Sequence, residues 1–339
     1  GQDDKPAFAS PMAYSSQDAA LLALDQQSFA HWIAQQGWTS PILLSHIRYC
    51  CRDDYGTEPD QVSAWAGIHY FAARRGWAAG NAGDNELTWP QGNGWLVNAI
   101  AQPVSANIQT GRTIFRVLPD QGGLQIDSHD HRSGKSIRTH AKAAILATPH
   151  FIARRLMPGL SQAPGLSYAP WIVANISVDR PPAGKGVQRA WDNVSTASES
   201  LGYVIATHQN ASAAQGPTVL TWYMALSRME PADARRLMIK RHLSEWQSII
   251  RNDLLAMNPD LAGAIRRIDV WRWGHAMVRP VPGFVSQVAM RQGPMLSPGL
   301  FHAHSDMSGL SLFEEAHYRG TAAAEAAMRH VNHSFESLL

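Results

Sequence analysis

One stretch near the C-terminus constrains the fold most. Gly299-Leu300-Phe301-His302-Ala303-His304-Ser305-Asp306-Met307-Ser308-Gly309 is followed by Phe313-Glu314-Glu315-Ala316 and then Gly320-Thr321-Ala322-Ala323-Ala324-Glu325-Ala326-Ala327. An apolar strand, a tight polar turn with one carboxylate, and a helix of small residues are the elements this order predicts. The first N–H groups of such a helix have no partner within it, so they point at whatever lies above the strand end and suit an electron-rich oxygen.

The rest of the chain has to supply a core and a partner for that unit. With 339 residues, 45% of them apolar and 17% charged, it can bury a large core, as two domains or as one large α/β domain. The net charge of +2 is spread over mixed Lys, Arg, Asp and Glu, so no basic stripe argues for nucleic acid or for a membrane surface. No apolar run approaches the roughly 18 residues of a membrane span. Gly1-Gln2-Asp3-Asp4-Lys5-Pro6 has no signal-peptide core and reads as a cut end. A soluble chain is expected, with a cytoplasmic location preferred and a removed leader allowed. The two cysteines, Cys50 and Cys51, are neighbours, which excludes a disulfide framework and a four-cysteine zinc site. They read as buried thiols on a helix, a strained vicinal pair being the alternative.

Along the chain, residues 17 to 51 predict two or three helices, and Asp60 to Arg75 another, closed by a Gly-rich loop from Gly76 to Asn85. Ile108–Val117 and Gly123–Asp127 predict a β-hairpin turning at Pro119–Gly123, and Ala141–Pro149 a buried strand stopped by its proline. Strands are expected at 171–178, 201–208, 217–224 and 265–271, with one long amphipathic helix from Pro231 to Met257.

Taken together, these pieces resemble the flavin-containing amine oxidase family. The C-terminal segment resembles its flavin-binding strand, Ala-Gly-(Asp/Thr)-Glu turn and Glu-Gly-Ala helix start, with His304 and Glu315 in place of two glycines. Trp89-Pro90-Gln91-Gly92-Asn93-Gly94 is similar to the family's Pro-x-Gly-Gly segment, and Ala144-Ile145-Leu146-Ala147-Thr148-Pro149 to its Val-Ile-x-Ala-Thr-Pro strand. Trp271-Arg272-Trp273-Gly274-His275 with Pro280-Val281-Pro282-Gly283 is similar to the segment before its last flavin strand. The resemblance implies an α/β (α+β mixed) fold with an incomplete FAD/NAD(P)-binding, Rossmann-like domain and a substrate domain of mixed sheet and helices. The expected division is 1–88 for the helical part of the substrate domain and 89–150 for a segment of the FAD-binding domain. Residues 151–284 would form the substrate-domain sheet and long helix, and 285–339 the C-terminal FAD-binding strand and helix.

The family's opening strand, Gly-x-Gly-x-x-Gly turn and helix have no counterpart: Gly92-Asn93-Gly94 lacks the third glycine, and Gly184-Lys185-Gly186 sits in a Pro-rich loop. Three readings follow, namely a truncated chain, a split protein whose partner supplies the unit, or a descendant that has lost flavin and only binds. Truncation is preferred. FAD is accordingly expected in the full-length protein, and weakly or not at all in this chain alone.

The resemblance also assigns residues. Ser305, Asp306, Met307, Phe313 and Glu314, with Thr148, Pro149, Gly92 and Gly94, would bind the cofactor. Asp306 would accept from the ribityl chain, or else brace its own turn. Trp89, Trp271 and Trp273 would wall the substrate pocket, or else pack as core among the chain's twelve tryptophans. No catalytic residue is assigned, because the family's flavin-proximal lysine and tyrosine cage have no clear match. The reaction implied is hydride removal from a C–N or C–C bond of a small molecule.

A second class competes. His302-x-His304-x-Asp306 on one strand would place three ligands on one face, the layout of a metal-dependent hydrolase, with His129 and His131 as further donors. The solvated-loop reading of His129 and His131 is preferred, and no metal is expected.

Overall fold

A computed structural model describes residues 1–74, 89–184, 190–207, 216–290 and 293–339, the side chains of 288–290 excepted. The expected Gly-rich loop at 76–85 lies outside these residues.

The N-terminal third is helical: α1 (Ala19–Leu22), α2 (Phe29–Gln35), α3 (Pro41–Tyr55) and α4 (Ala64–Ala72). The hydroxyl of Ser28 caps α2 by accepting from the amide of His31, and Gly56, at φ 58°, ends α3 in the left-handed turn that glycine adopts without strain. The fourth helix begins at Ala64, where Ser63 breaks from extended backbone, rather than at Asp60. These helices bury Phe29, Ile33, Tyr55 and Trp65 together with Val278 and Phe284 from late in the chain. Next comes α5 (Gly94–Ala101), then a meander β1 (Arg112–Asp120), β2 (Gly123–Asp130) and β3 (Lys135–Ala141). The expected hairpin thus has a third strand. Its turn narrows to Gln121-Gly122, with Gly122 at φ 80°. His129 pairs with Thr113 inside the ladder instead of sitting in a loop, because the strand runs through to Asp130.

After β4 (Ala144–Leu146) and α6 (His150–Leu156) comes the largest sheet. It contains β5 (Tyr168–Val178), β6 (Asp192–Asn193), β7 (Tyr203–Ile205), β8 (Thr218–Ala225) and β9 (Ile265–Val278), in the order β6-β7-β8-β5-β9. Its neighbouring strands are antiparallel. One face packs Ile172, Ala174, Ile176, Leu220 and Trp222 on Met238, Trp246, Ile250 and Leu254 of two helices. These are α7 (Pro231–Lys240) and α8 (Leu243–Met257), not the single long helix expected. The break falls at His242, whose amide donates to Glu245 at 2.8 Å in a capping box that starts the second helix afresh.

The last strand of this sheet runs on past Trp271 to Val278. Its pairing with β5 slips where Pro170 stands between Ala169 and Trp171, so that Gly274-His275-Ala276 oppose a single residue. Proline cannot donate to a ladder, and a bulge in the neighbouring strand accommodates it. The chain closes with α9 (Phe284–Met290), β10 (Met295–Ser297), β11 (Leu300–His302) and α10 (Phe313–His330). A small sheet has the order β10-β11-β4, with β11 and β4 parallel. The architecture is one of mixed helices and sheets, as expected.

Candidate active site

Parallel pairing brings the C-terminal ends of β4 and β11 side by side, and both strands run directly into the turns that carry the cofactor-binding candidates. Asp306 is the hub. The residue is 3% exposed, and Oδ2 accepts from the backbone amide of His150 at 2.8 Å and from the Tyr168 hydroxyl at 2.5 Å. Oδ1 lies 3.0 Å from Nδ1 of His304, and the same nitrogen is 3.1 Å from the Asp306 amide. One nitrogen cannot serve both contacts in one tautomer: protonated it donates to the carboxylate, bare it accepts from the amide. Burial would raise the Asp306 pKa, but the bonds from His304, Tyr168 and the His150 amide outweigh it and hold the carboxyl below its usual range. The same burial, with the Asp306 charge, pushes the Tyr168 phenol well up. One carboxylate therefore ties together the start of α6, the start of β5 and the turn after β11.

The other candidates fall around it. The carbonyl of Thr148 accepts from Nε2 of His302 at 2.7 Å, while the Thr148 hydroxyl and Nδ1 of His302 are buried with no protein partner. Burial lowers the His302 pKa, so its imidazole is neutral. Pro149 stands at the N-cap of α6. The amide of Met307 donates to His304 at 3.0 Å, and Ser305 accepts from the amide of Ser308 at 2.8 Å, both closing the turn. Phe313 opens α10, whose N-cap Leu312 offers no side-chain acceptor, and Glu314 is exposed in its first turn. Gly92 and Gly94 stand at the start of α5, with open space where a Cβ would be.

Of the pocket tryptophans, Trp89 stacks on Trp95 with ring centres 4.9 Å apart. Trp271 and Trp273 stand on β9, 43% and 54% exposed, opposite Val173 and Trp171 on the sheet face away from α7 and α8. The bulge next to them turns His275 onto Phe151, ring centres 4.3 Å apart, and within 5.5 Å of the Tyr168 ring. Burial, with Arg235 and Arg155 nearby, lowers the His275 pKa. The hub at Asp306 thus continues through Tyr168, Phe151 and His275 towards Trp273.

Sequence reasoning missed His150, Tyr168 and His275. Only the proline before His150 marked its helix start; Tyr168 is 138 residues from its partner Asp306 and carried no signal. It also missed the use of Glu315. That side chain is buried and accepts from the amide of Met12 at 2.6 Å, so the residue that departs from the family's glycine fastens the N-terminal segment to α10.

The hydrolase layout does not form. β11 ends at His302, and residues 305–307 are a 3₁₀ turn, so the three side chains do not share a strand face. His302 turns to the Thr148 carbonyl and His304 to Asp306. Among the described residues no group of three His, Cys, Asp or Glu side chains could hold a metal ion, and no helix is long and apolar enough to cross a membrane.

The fold these elements build is that of amine oxidases. Cyclohexylamine oxidase from Brevibacterium oxydans matches 94% of this chain over 71% of its own length, with a TM-score of 0.61 and 14% identity. Wild-type putrescine oxidase bound to putrescine matches 91% of this chain over 69% of its own, at TM-score 0.65 and 14% identity. A single mutant of putrescine oxidase redesigned in its cofactor binding matches 92% at TM-score 0.66 and 13% identity. No family model and no curated protein matches the sequence.

Proposed function

We propose that this chain is the greater part of an FAD-dependent oxidoreductase of the amine oxidase type, which removes a hydride from the carbon beside a nitrogen in a small-molecule substrate. The observation that carries the reading is the strand-end hub. Two parallel strands, a buried carboxylate and the uncapped start of an 18-residue helix meet inside a fold that follows amine oxidases over more than nine-tenths of the chain.

The residues present suit the ring and ribityl end of such a cofactor. The buried, partnerless Thr148 hydroxyl and His302 Nδ1 are polar atoms of the hydrogen-bonding kind a flavin needs, and the helix start favours negative charge on a flavin carbonyl. The pyrophosphate end has no Gly-x-Gly-x-x-Gly turn in the sequence. Bound there, flavin would supply the hydride acceptor. The protein's own part is positioning: Asp306 fixes the strand ends, while Phe151, Tyr168 and His275 form an aromatic side that excludes water. His275, its pKa lowered by burial, is neutral near pH 7 and offers a ring nitrogen that can accept a hydrogen bond from the substrate nitrogen.

The test is to purify the native gene product from its own cells, record its visible spectrum, and add cyclohexylamine or putrescine without oxygen. A flavin spectrum that bleaches with amine is the expected result. A colourless protein that takes up no added FAD overturns the reading. The 339-residue chain alone should keep little FAD.

A further inference from the structure

We propose that Arg235 is a positioning residue of the amine site: it clamps the slip between β5 and β9 and so holds the His275 ring where the substrate nitrogen meets it; the proposal rests on the amine oxidase reading. The guanidinium comes from α7, and one of its nitrogens, Nη1, donates to the Tyr168 carbonyl at 3.2 Å and to the Gly274 carbonyl at 3.3 Å, one on each strand. Both carbonyls lie where the ladder lapses. β8 ends at Ala225, opposite Trp171, and the amide of the next residue, Leu226, donates to the carbonyl of Pro170. By alternation the Tyr168 carbonyl points the same way, beyond the end of β8. Gly274 stands between Trp273 and Met277, the two β9 residues at which pairing with β5 stops and resumes. A backbone carbonyl without its strand partner needs another donor, and Arg235 serves both.

The next residue along β9 is the one the clamp governs. A bulge re-aims a side chain, and this one lays His275 on Phe151 with 22° between the rings while leaving the residue exposed to a ligand. The stem of Arg235 lies on the same turn: a Cβ on Gly274 would sit 3.5 Å from Cδ of Arg235 and 3.6 Å from Cε of Met238. Its bonds go to carbonyls rather than to a carboxylate, and burial alone acts on its pKa, downwards. A partly buried cation without a counter-charge costs stability, and an apolar side chain of similar length would pack on Gly274 without that cost. The charge acts on His275 instead. Arg235 from α7 and Arg155 from α6 are the charged groups that bear on it, both lowering its pKa, and its other neighbours are the rings of Phe151 on α6 and Tyr168 on β5. The clamp thus fixes the ring and keeps it free of a proton, so that its nitrogen accepts from the substrate nitrogen.

The experiment introduces Arg235→Met, which keeps the stem, and Arg235→Lys, which keeps the charge, into the native gene product made in its own cells. Histidine C2 hydrogen–deuterium exchange, read by mass spectrometry, gives the titration of His275, with His31 on α2 as control. Rates are measured from about pH 6 to 9 with whichever of cyclohexylamine and putrescine bleaches the parent. In Arg235→Met the His275 midpoint should rise by about 0.5 pH unit, and KM should increase about 3- to 10-fold with kcat changed less, as for a lost bond to bound substrate. In Arg235→Lys both should return towards the parent, and His31 should move in neither. An unchanged His275 titration in Arg235→Met, or losses of equal size in the two variants, overturns the clamp and leaves Arg235 as packing. If Arg235→Met does not accumulate, Arg235→Gln, also without charge, is read by the same criteria. The exchange measurement needs neither flavin nor turnover. A colourless, inert protein whose His275 responds to Arg235→Met removes the amine oxidase reading alone, and a yellow, amine-bleached one whose His275 does not respond removes the clamp alone.

Discussion

Removing the Asp306 carboxylate should damage the fold first. In the native state it accepts from the His150 amide and the Tyr168 hydroxyl and faces His304, all in a place where its own side chain is 4% exposed. Asp306→Ala takes one acceptor from the amide and the acceptor from the hydroxyl, both buried, at about 1–3 kcal/mol each. The amide is in the first turn of α6, so a cap worth about 1 kcal/mol is lost as well, partly the same energy. A loss of about 3–5 kcal/mol is the outcome, read as a fall in the urea midpoint at pH 7 with unchanged slope. Adding Tyr168→Phe removes one stranded donor, so the double variant should recover about 1–2 kcal/mol relative to the single one. The pH dependence has a definite sign. The folded carboxyl titrates below its unfolded value, so its contribution is complete above the ordinary aspartate range and disappears as pH falls through and below about 4. The gap between parent and Asp306→Ala should therefore narrow towards acid. A stability loss under about 1 kcal/mol, or no recovery in the double variant, refutes this account of the hub.

Two further outcomes follow from buried carboxyls elsewhere. Burial, with Asp54 and Asp192 close by, pushes the Asp53 carboxyl up to about 7, so its ionisation costs stability as pH rises from about 4 to 7; Asp53→Asn should stabilise the protein by about 1–3 kcal/mol at pH 8 and little at pH 4, by thermal melts at both. Glu315→Ala strands the Met12 amide and should speed its hydrogen exchange and protease cleavage within residues 1–16, whereas Glu315→Gln, which keeps an acceptor, should change neither much.

Where the physical cause is local, the sequence was enough. The hairpin expected over 108–127 and the small-residue helix after Phe313 are set by neighbours a few residues away, and both appear in the structure, the first strand starting at Arg112; the strand expected over 141–149 shrinks to Ala144–Leu146 and ends before Pro149, which instead caps α6. The order of motifs likewise carried the resemblance to amine oxidases, and the solved neighbours share that fold. Breaks that depend on one residue were harder to see. His242 splits a periodic pattern because its cap bond outweighs continuation, and Pro170 shifts a ladder whose partner is a hundred residues on.

The site was decided by tertiary structure. A carboxylate at 306 is visible in the sequence, but whether it faces a ligand or braces a turn depends on what the fold brings to it, and that is Tyr168, the amide of His150 and the ring of His304. The His-x-His-x-Asp spacing looked like a ligand set only while the strand was taken to continue; ending it at His302 turns that side chain to the Thr148 carbonyl, while His304 and Asp306 face each other. The exposure of α5 belongs to the same class of fact. Sequence shows that the helix is apolar, whereas burial is a property of what the rest of the chain covers.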